Sequence, residues 1–135
     1  MLDANEISAL ATEGHEIGAH TCTHPKLTTI SSPQIKDEVF GSKWAVERLI
    51  GQDVVSFAYP HGQWNYNVRE IVSDAGFLAA CTTEEAHIPD DPDSLALPRL
   101  AVLRSTTVAE FRTKLARGLH LYSQAVHALN IVGRS

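Results

Sequence analysis

The chain alternates amphipathic helical stretches with short segments suited to strands, and this alternation constrains its fold more than any other feature. Apolar residues recur every three or four positions in the helical stretches, and short predicted strands lie between them at 15–19, 54–58, 77–81 and 97–103. The predicted order is α-β-α-β-α-β-β-α. Helices that alternate with strands in this way indicate an α/β protein with a mostly parallel sheet.

Capping residues and glycines mark where the predicted helices begin and end. The first three helices lie between Asp3 and Gly14, between Ser32 and Gly51, and between Asn65 and Gly76. Asp3 with Glu6 forms the pattern of a capping box, and Pro33 suits the first turn of the second helix. A fourth helix is predicted from 108 to 129. No linker or repeat divides the chain, so 1–135 is predicted to be a single domain.

Length and charge exclude several classes of function. The 135 residues carry a net charge of -5 without a basic stretch, which argues against binding to nucleic acid or to an anionic membrane. No apolar run approaches the roughly 20 residues of a membrane-spanning helix. Met1 leads directly into a polar helix rather than a signal peptide, which predicts a cytoplasmic chain as it stands. The two cysteines, Cys22 and Cys81, are predicted to be separate thiols.

Two loops that follow predicted strands carry the residues most suited to chemistry. Residues 20–25, HTCTHP, place His20 and His24 four positions apart, and the proline disfavours helical geometry at His24. Two imidazoles at this spacing can bind one zinc ion, at Zn–N distances of about 2.0–2.1 Å. The second loop, 59–62, reads YPHG. Because neighbouring parallel strands end at the same edge of a sheet, we expect the two loops to lie side by side.

Each of these features also has a simpler interpretation. The two histidines can be ordinary loop residues that make hydrogen bonds, and residues 59–62 can be only a turn that ends a strand. Trp44 is predicted to pack in the core from the second helix, whereas Trp64, next to the turn, suits either packing or stacking on a ligand. Arg99 suits a structural ion pair.

The sequence around the two loops resembles the polysaccharide deacetylases, the NodB-homology group or carbohydrate esterase family 4. Residues 14–25, GHEIGAHTCTHP, resemble the second motif of this family, and residues 57–62, FAYPHG, resemble its third. Residues 97–100, LPRL, resemble the tail of some exopolysaccharide-linked members. The resemblance covers most of the chain. It implies an α/β fold that is an incomplete form of the distorted (β/α) barrel of this family.

The resemblance also implies a metal-dependent hydrolase that removes N-acetyl, or sometimes O-acetyl, groups from a polysaccharide or oligosaccharide. His20 and His24 match the two histidine ligands of the divalent metal ion, which is expected to be zinc. The third motif implies catalytic positions at Tyr59, Pro60 and His61, with the backbone N–H of His61 as a donor to the oxyanion. Sugar binding is assigned to the side chains of two further residues, Trp64 and Arg99.

Two motifs of the family have no clear counterpart in the chain. The first motif ends a strand in two adjacent aspartates, one a metal ligand and the other the general base, and no such pair precedes the first helix. The late L-x-H motif, which supplies a histidine acid, is also missing. We therefore expect weak metal binding and poor catalysis, and the alternative is a non-catalytic remnant that binds carbohydrate or a partner. A missing first strand would leave the edge at 15–19 exposed, which predicts a homo-oligomer.

Overall fold

The computed structural model describes residues 2–86 and 89–116 of the chain. Its helices are α1 (Ala4–Thr12), α2 (Ser32–Ile50) and α3 (Tyr66–Asp74), and its strands are β1 (Ser56–Ala58) and β2 (Ala79–Cys81). Short 3₁₀ turns occupy Leu27–Thr29 and Pro60–Gly62. All of these elements belong to one compact unit, Met1–Arg99. A second unit, Leu100–Ser135, contains a helical segment at 108–116.

The sheet is parallel, as predicted, and its segments follow one another in chain order. β1 pairs with β2 in parallel, and Phe57 lies opposite Ala80. Ala19 forms a parallel bridge to Phe57, and Leu97 forms one to Cys81. These bridges add an incoming segment on either side of the two strands. The first and second predicted strands therefore lead to the same edge of the sheet.

The predicted strands at 15–19 and 97–103 are wrong in their extent, because each contributes only a single bridge residue. At the first, the N–H of Ala19 donates to Ser56 O and the N–H of Ala58 donates to Ala19 O, and the ladder stops there. In the second, the side chains of Val102 and Leu103 are exposed. Apolar residues without a covering layer gain little from extended pairing, which explains why the longer strand does not form.

The capping residues act as the sequence predicts, with one shift. Asp3 and Glu6 form a complete capping box at α1, and Asn65 accepts from the N–H of Val68 at α3. At α2 the cap is Ser31, which forms a capping box with Gln34, rather than the predicted Ser32. The difference is one residue, and Pro33 still lies in the first turn. The predicted continuation of the last helix beyond 116, and His87, His120 and His127, lie outside the described residues.

The core lies between the sheet and the helices. Phe57 is 2% exposed, and its ring centroid lies 5.4 Å from that of Tyr59 and 5.1 Å from that of Phe77. Fully buried aliphatic side chains surround these rings: Leu27, Ile35, Val39, Val54, Val68 and Val72. The buried face of α2 therefore includes Ile35 and Val39.

The prediction that Trp44 packs in the core is wrong, because its side chain is 60% exposed. Trp44 lies five residues beyond the buried Val39, about 140° further round a helix with 3.6 residues per turn. Its ring instead contacts the guanidinium of Arg48, 4.8 Å from the ring centroid.

Within the described residues no helix is long and apolar enough to cross a membrane.

Candidate active site

The loop that follows Ala19 has an unusual backbone. Thr21 (φ 65°) and His24 (φ 59°) both adopt the left-handed conformation, which is uncommon for residues other than glycine. The N–H of His24 donates to Thr21 Oγ1 at 3.1 Å, which closes the loop between them. Backbone positions of this kind cost about 1–3 kcal/mol each and persist where surrounding contacts hold them. A β-branched threonine in this conformation indicates that the loop has a functional role.

The ring of His20 is held by a backbone contact to the neighbouring strand. Its Nδ1 lies 2.6 Å from the carbonyl oxygen of Ala58, the last residue of β1. Because a carbonyl oxygen can only accept, Nδ1 carries the proton of this contact, and in the neutral ring Nε2 then keeps its lone pair. Metal-binding histidines are commonly oriented in this manner, with the second nitrogen donating to a carbonyl or carboxylate. His20 therefore presents the tautomer that a metal ion requires.

The two predicted loops lie side by side and bring three imidazoles together. The ring centroid of His24 lies 4.9 Å from that of His20 and 4.7 Å from that of His61. His61 also has a left-handed backbone, with φ 59°. Three non-glycine residues of the described chain have this conformation, Thr21, His24 and His61, and all of them lie in these two loops. Such clustering of strained backbone is typical of functional sites.

The donor set fits a divalent ion only in part. His20 and His24 supply two imidazoles, and His20 has its Nε2 free to bind. With the side chains in their observed positions, the described residues contain no group of three or more histidine, cysteine, aspartate or glutamate side chains that could hold one ion. The pair is suited to the nitrogen-ligand part of a zinc site, which in catalytic proteins has three protein ligands.

Contacts of Tyr59 and Thr83 hold the turn at Pro60–Gly62 in place. Tyr59 is 1% exposed, and its hydroxyl donates to Leu95 O at 2.7 Å. Burial raises the pKa of this hydroxyl, so it stays protonated. Thr83 Oγ1 donates to His61 O, and a Cβ added at Gly62 would lie 2.4 Å from the backbone nitrogen of Thr83. Glycine at 62 is therefore needed both for its φ of 69° and for this close approach.

Replacing Tyr59 with phenylalanine is expected to lower the free energy of unfolding by about 1–3 kcal/mol, because the buried carbonyl of Leu95 loses its donor. Urea unfolding followed by circular dichroism measures the change. Tyr66→Phe is the matched control, because the Tyr66 side chain is 76% exposed. This substitution should change the free energy of unfolding by no more than about 0.5 kcal/mol. Equal effects of the two substitutions would contradict the prediction.

Trp64 and Arg99, the two residues predicted to bind substrate, both follow the second loop along the chain. Trp64 is 38% exposed and stacks on Tyr59 with an interplanar angle of 27°. Its ring also lines a groove of about 370 Å³, together with Glu84, Ala86, Pro89, Pro92, Asp93, Ala96 and Pro98. Nε of Arg99 donates to the carbonyl oxygen of Thr82 at 2.6 Å. The guanidinium thus supports the backbone that follows β2.

One residue that contributes to the site was missed by sequence reasoning. Glu38, on α2, accepts hydrogen bonds from the backbone N–H groups of Cys22 and Thr23 and from Thr23 Oγ1. Partial burial would raise the pKa of this carboxyl, but the hydrogen bonds from Thr23 and Cys22 outweigh it and hold the pKa below its ordinary value. Glu38 lies far from the loop along the chain and has no local motif, so no sequence signal identifies it.

A parallel α/β sheet whose carboxyl-edge loops bring imidazoles together has the layout of an α/β enzyme site. The sequence matches the family model for polysaccharide deacetylase over residues 3–80. The chain belongs to the polysaccharide deacetylase family, as its two motifs predicted. Members of this family share the distorted (β/α) barrel, and the predicted α/β fold class is confirmed.

Known proteins of similar sequence and structure agree with this assignment. A chitooligosaccharide deacetylase of Bradyrhizobium sp. (strain ANU 289) is 29% identical over 107 residues, which cover 78% of this chain and 46% of the relative. A polysaccharide deacetylase from Bacillus cereus superposes with a TM-score of 0.77 at 26% identity, over 84% of this chain and 36% of the other. A Streptococcus pyogenes deacetylase, solved in complex with acetate, superposes with a TM-score of 0.79 at 22% identity, over 84% and 50%. The chain thus spans about half the length of such relatives or less.

Proposed function

We propose that the two loops form the active site of a metal-dependent deacetylase that acts on an acetylated polysaccharide or oligosaccharide. The observation that carries the proposal is the orientation of His20 by Ala58 O beside the ring of His24, within a chain of this family. In this proposal His20 and His24 hold a divalent metal ion, with zinc the expected metal. Such an ion, when bound, polarises an acetyl carbonyl and lowers the pKa of a water molecule.

The residues of the second loop then act on the other side of the acetyl group. The backbone N–H of His61 donates to the carbonyl oxygen as negative charge develops on it, an interaction worth about 3 kcal/mol of barrier. Tyr59 and Pro60 serve this donor by fixing the turn: Pro60 is buried, and the Tyr59 hydroxyl is anchored on Leu95 O. Gly62 and Gln63 close the turn through their own N–H groups, which donate to Tyr59 O and Pro60 O.

The groove beside Trp64 supports the assignment of a saccharide substrate. The exposed part of the indole suits stacking on the apolar face of a sugar ring, and the carboxylate of Glu84 in the same groove suits hydroxyl groups. The Asp93 carboxylate lines the groove as well, but Arg69 binds both of its oxygens. Chitooligosaccharide and peptidoglycan N-acetylglucosamine are named as the substrates of two similar proteins, from Bradyrhizobium and Bacillus cereus. We propose that Arg99 contributes by holding the backbone at Thr82, which directly follows the carboxyl end of β2.

Acetate release from an N-acetylated chitooligosaccharide, measured with added zinc, tests the proposed function. Release above the zinc-free blank that disappears in His20→Ala supports deacetylation by this chain. Saturable binding of the same oligosaccharide without acetate release supports the alternative, a non-catalytic carbohydrate-binding member of the family. Neither release nor binding would contradict both functions.

We also propose that the chain self-associates through the segment at 15–18. Within the described ranges this segment joins no strand pairing, although Ala19 next to it is part of the sheet. An unpaired sheet edge favours pairing with another copy. Light scattering at micromolar concentration is expected to show a dimer or larger species, and Glu16→Pro should shift it towards monomer because proline removes a backbone donor from this segment. Glu16 suits this test better than His15, whose N–H already donates to Leu10 O at the end of α1. A monodisperse monomer for the unchanged chain would contradict this proposal.

A further inference from the structure

The loop between His20 and His24 is fastened to helix α2 by a single carboxylate. Glu38 Oε2 accepts from the N–H of Cys22 at 2.7 Å and from the N–H of Thr23 at 2.8 Å, while Oε1 accepts from Thr23 Oγ1. Both carboxylate oxygens are thus directed at the two residues in the middle of the loop. Hydrogen bonds to a charged acceptor are stronger than those between neutral groups.

The helix is a firm support for this contact. Ile35 and Val39, on either side of Glu38, are 1% and 0% exposed, so the backbone that carries the carboxylate is packed into the core. Cys22 Sγ lies 3.7 Å from the carbonyl oxygen of Glu38, and a Cβ added at Gly41 would lie 3.1 Å from that sulfur. The loop therefore packs closely on α2 along about one turn of the helix, from Glu38 to Gly41.

The conformation that Glu38 holds is the one that places the two histidines. Thr21 and His24 have φ angles of 65° and 59°, and these unfavourable positions flank Cys22 and Thr23, whose N–H groups Glu38 binds. Without the acceptor, the two N–H groups would turn to solvent and the loop could relax to ordinary backbone angles. The separation and direction of the two imidazoles would then change.

We propose that Glu38 is a positioning residue, which holds the His20–His24 loop in its metal-binding conformation. The inference rests on the proposed function, since it requires that His20 and His24 bind a metal ion. Glu38 does not itself touch the ion. It acts by preorganising the ligands, and the loss of such supporting contacts typically weakens metal binding by about 10- to 100-fold.

Zinc titrations of the 135-residue chain, followed by the NMR signals of the histidine rings, test the proposal over affinities from micromolar to millimolar. Glu38→Gln is expected to raise the zinc Kd about tenfold or more, because glutamine presents an N–H₂ group where the carboxylate has its second acceptor. Thr23→Val, which removes only the hydroxyl donor, should give a smaller loss and provides a second test if Glu38→Gln folds poorly.

Glu47→Gln is the matched control. Glu47 lies on the same helix, is also partly buried and accepts from a backbone N–H, that of Val54 at 3.0 Å, but this contact lies away from the histidines. The control should lower stability without changing the zinc Kd. Equal losses of zinc affinity in the two variants would overturn the proposal, because a general loss of stability would then account for both.

The remaining outcomes separate this inference from the proposed function. If Glu38→Gln and Thr23→Val bind zinc as the unchanged chain does, while His20→Ala does not bind it, the positioning role is wrong and the metal site stands. If the unchanged chain does not bind zinc, or if His20→Ala binds it equally well, the proposed metal site and the role of Glu38 are both wrong.

Discussion

Replacing His20 with alanine is expected to weaken zinc binding by at least about 100-fold, which exceeds the usual effect of losing a supporting residue outside the ligand set. The substitution removes one imidazole of a pair and with it the Nε2 lone pair that the hydrogen bond to Ala58 O leaves free. It also deletes the Nδ1 donor of that hydrogen bond, so the first loop loses its direct link to the end of β1. Isothermal titration calorimetry, or histidine NMR signals when binding is weak, measures the change.

His15→Ala is the control for this experiment. His15 lies on the same incoming segment, and its side chain is exposed, but it does not belong to the cluster of His20, His24 and His61. The control should bind zinc as the unchanged chain does. An equal loss in both variants, or no loss in His20→Ala, would show that zinc binds elsewhere on the chain.

Replacing Phe57 with alanine is expected to lower the free energy of unfolding by about 3–5 kcal/mol, a large part of the 5–15 kcal/mol that stabilises a typical domain. Phe57 is the central residue of β1, pairs with Ala19 and Ala80, and is 2% exposed. Its ring contacts those of Tyr59 and Phe77, so alanine would leave a cavity that the surrounding residues fill only in part. Urea unfolding measured by circular dichroism checks the value.

Phe40→Ala makes the same chemical change at a site that should tolerate it. The Phe40 side chain lies on α2 and is 42% exposed, so removing it should cost at most about 1 kcal/mol. A small effect at Phe57, or similar effects at both positions, would contradict the assignment of Phe57 to the centre of the core. Because Phe57 precedes Ala58 and Tyr59, its loss should also disturb the contacts that hold His20 and the second loop.

The two site loops are the part of the structure that sequence patterns predicted best. The motif at 20–25 and the turn at 59–62 each follow a predicted strand, and neighbouring parallel strands end at a common edge, so the two loops were expected to lie side by side. The structure places the rings of His20 and His24 4.9 Å apart and brings His61 to 4.7 Å from His24. Sequence reasoning assigned His61 a backbone role and did not anticipate that its ring would join the pair.

The errors concern residues whose environment depends on distant parts of the chain. The sequence predicts Trp44 in the core on the second helix, yet its side chain is exposed and lies against Arg48. The strand predicted from 97 to 103 had a suitable composition, but only Leu97 finds a partner in the sheet. Composition alone predicts neither outcome, because both depend on which surface another element covers.

The sequence by itself determined the local features of this protein: the capping residues, the helix ends, the alternation of helix and strand, and the family motif. These are short-range properties, since a cap or a turn involves residues three or four positions apart. The tertiary structure alone decided which groups support the site, namely the contacts of Glu38 with Thr23, of Ala58 O with His20, and of Leu95 O with Tyr59. Each of these joins residues 15 or more positions apart, and such contacts form only when the helices pack on the sheet and close the intervening chain.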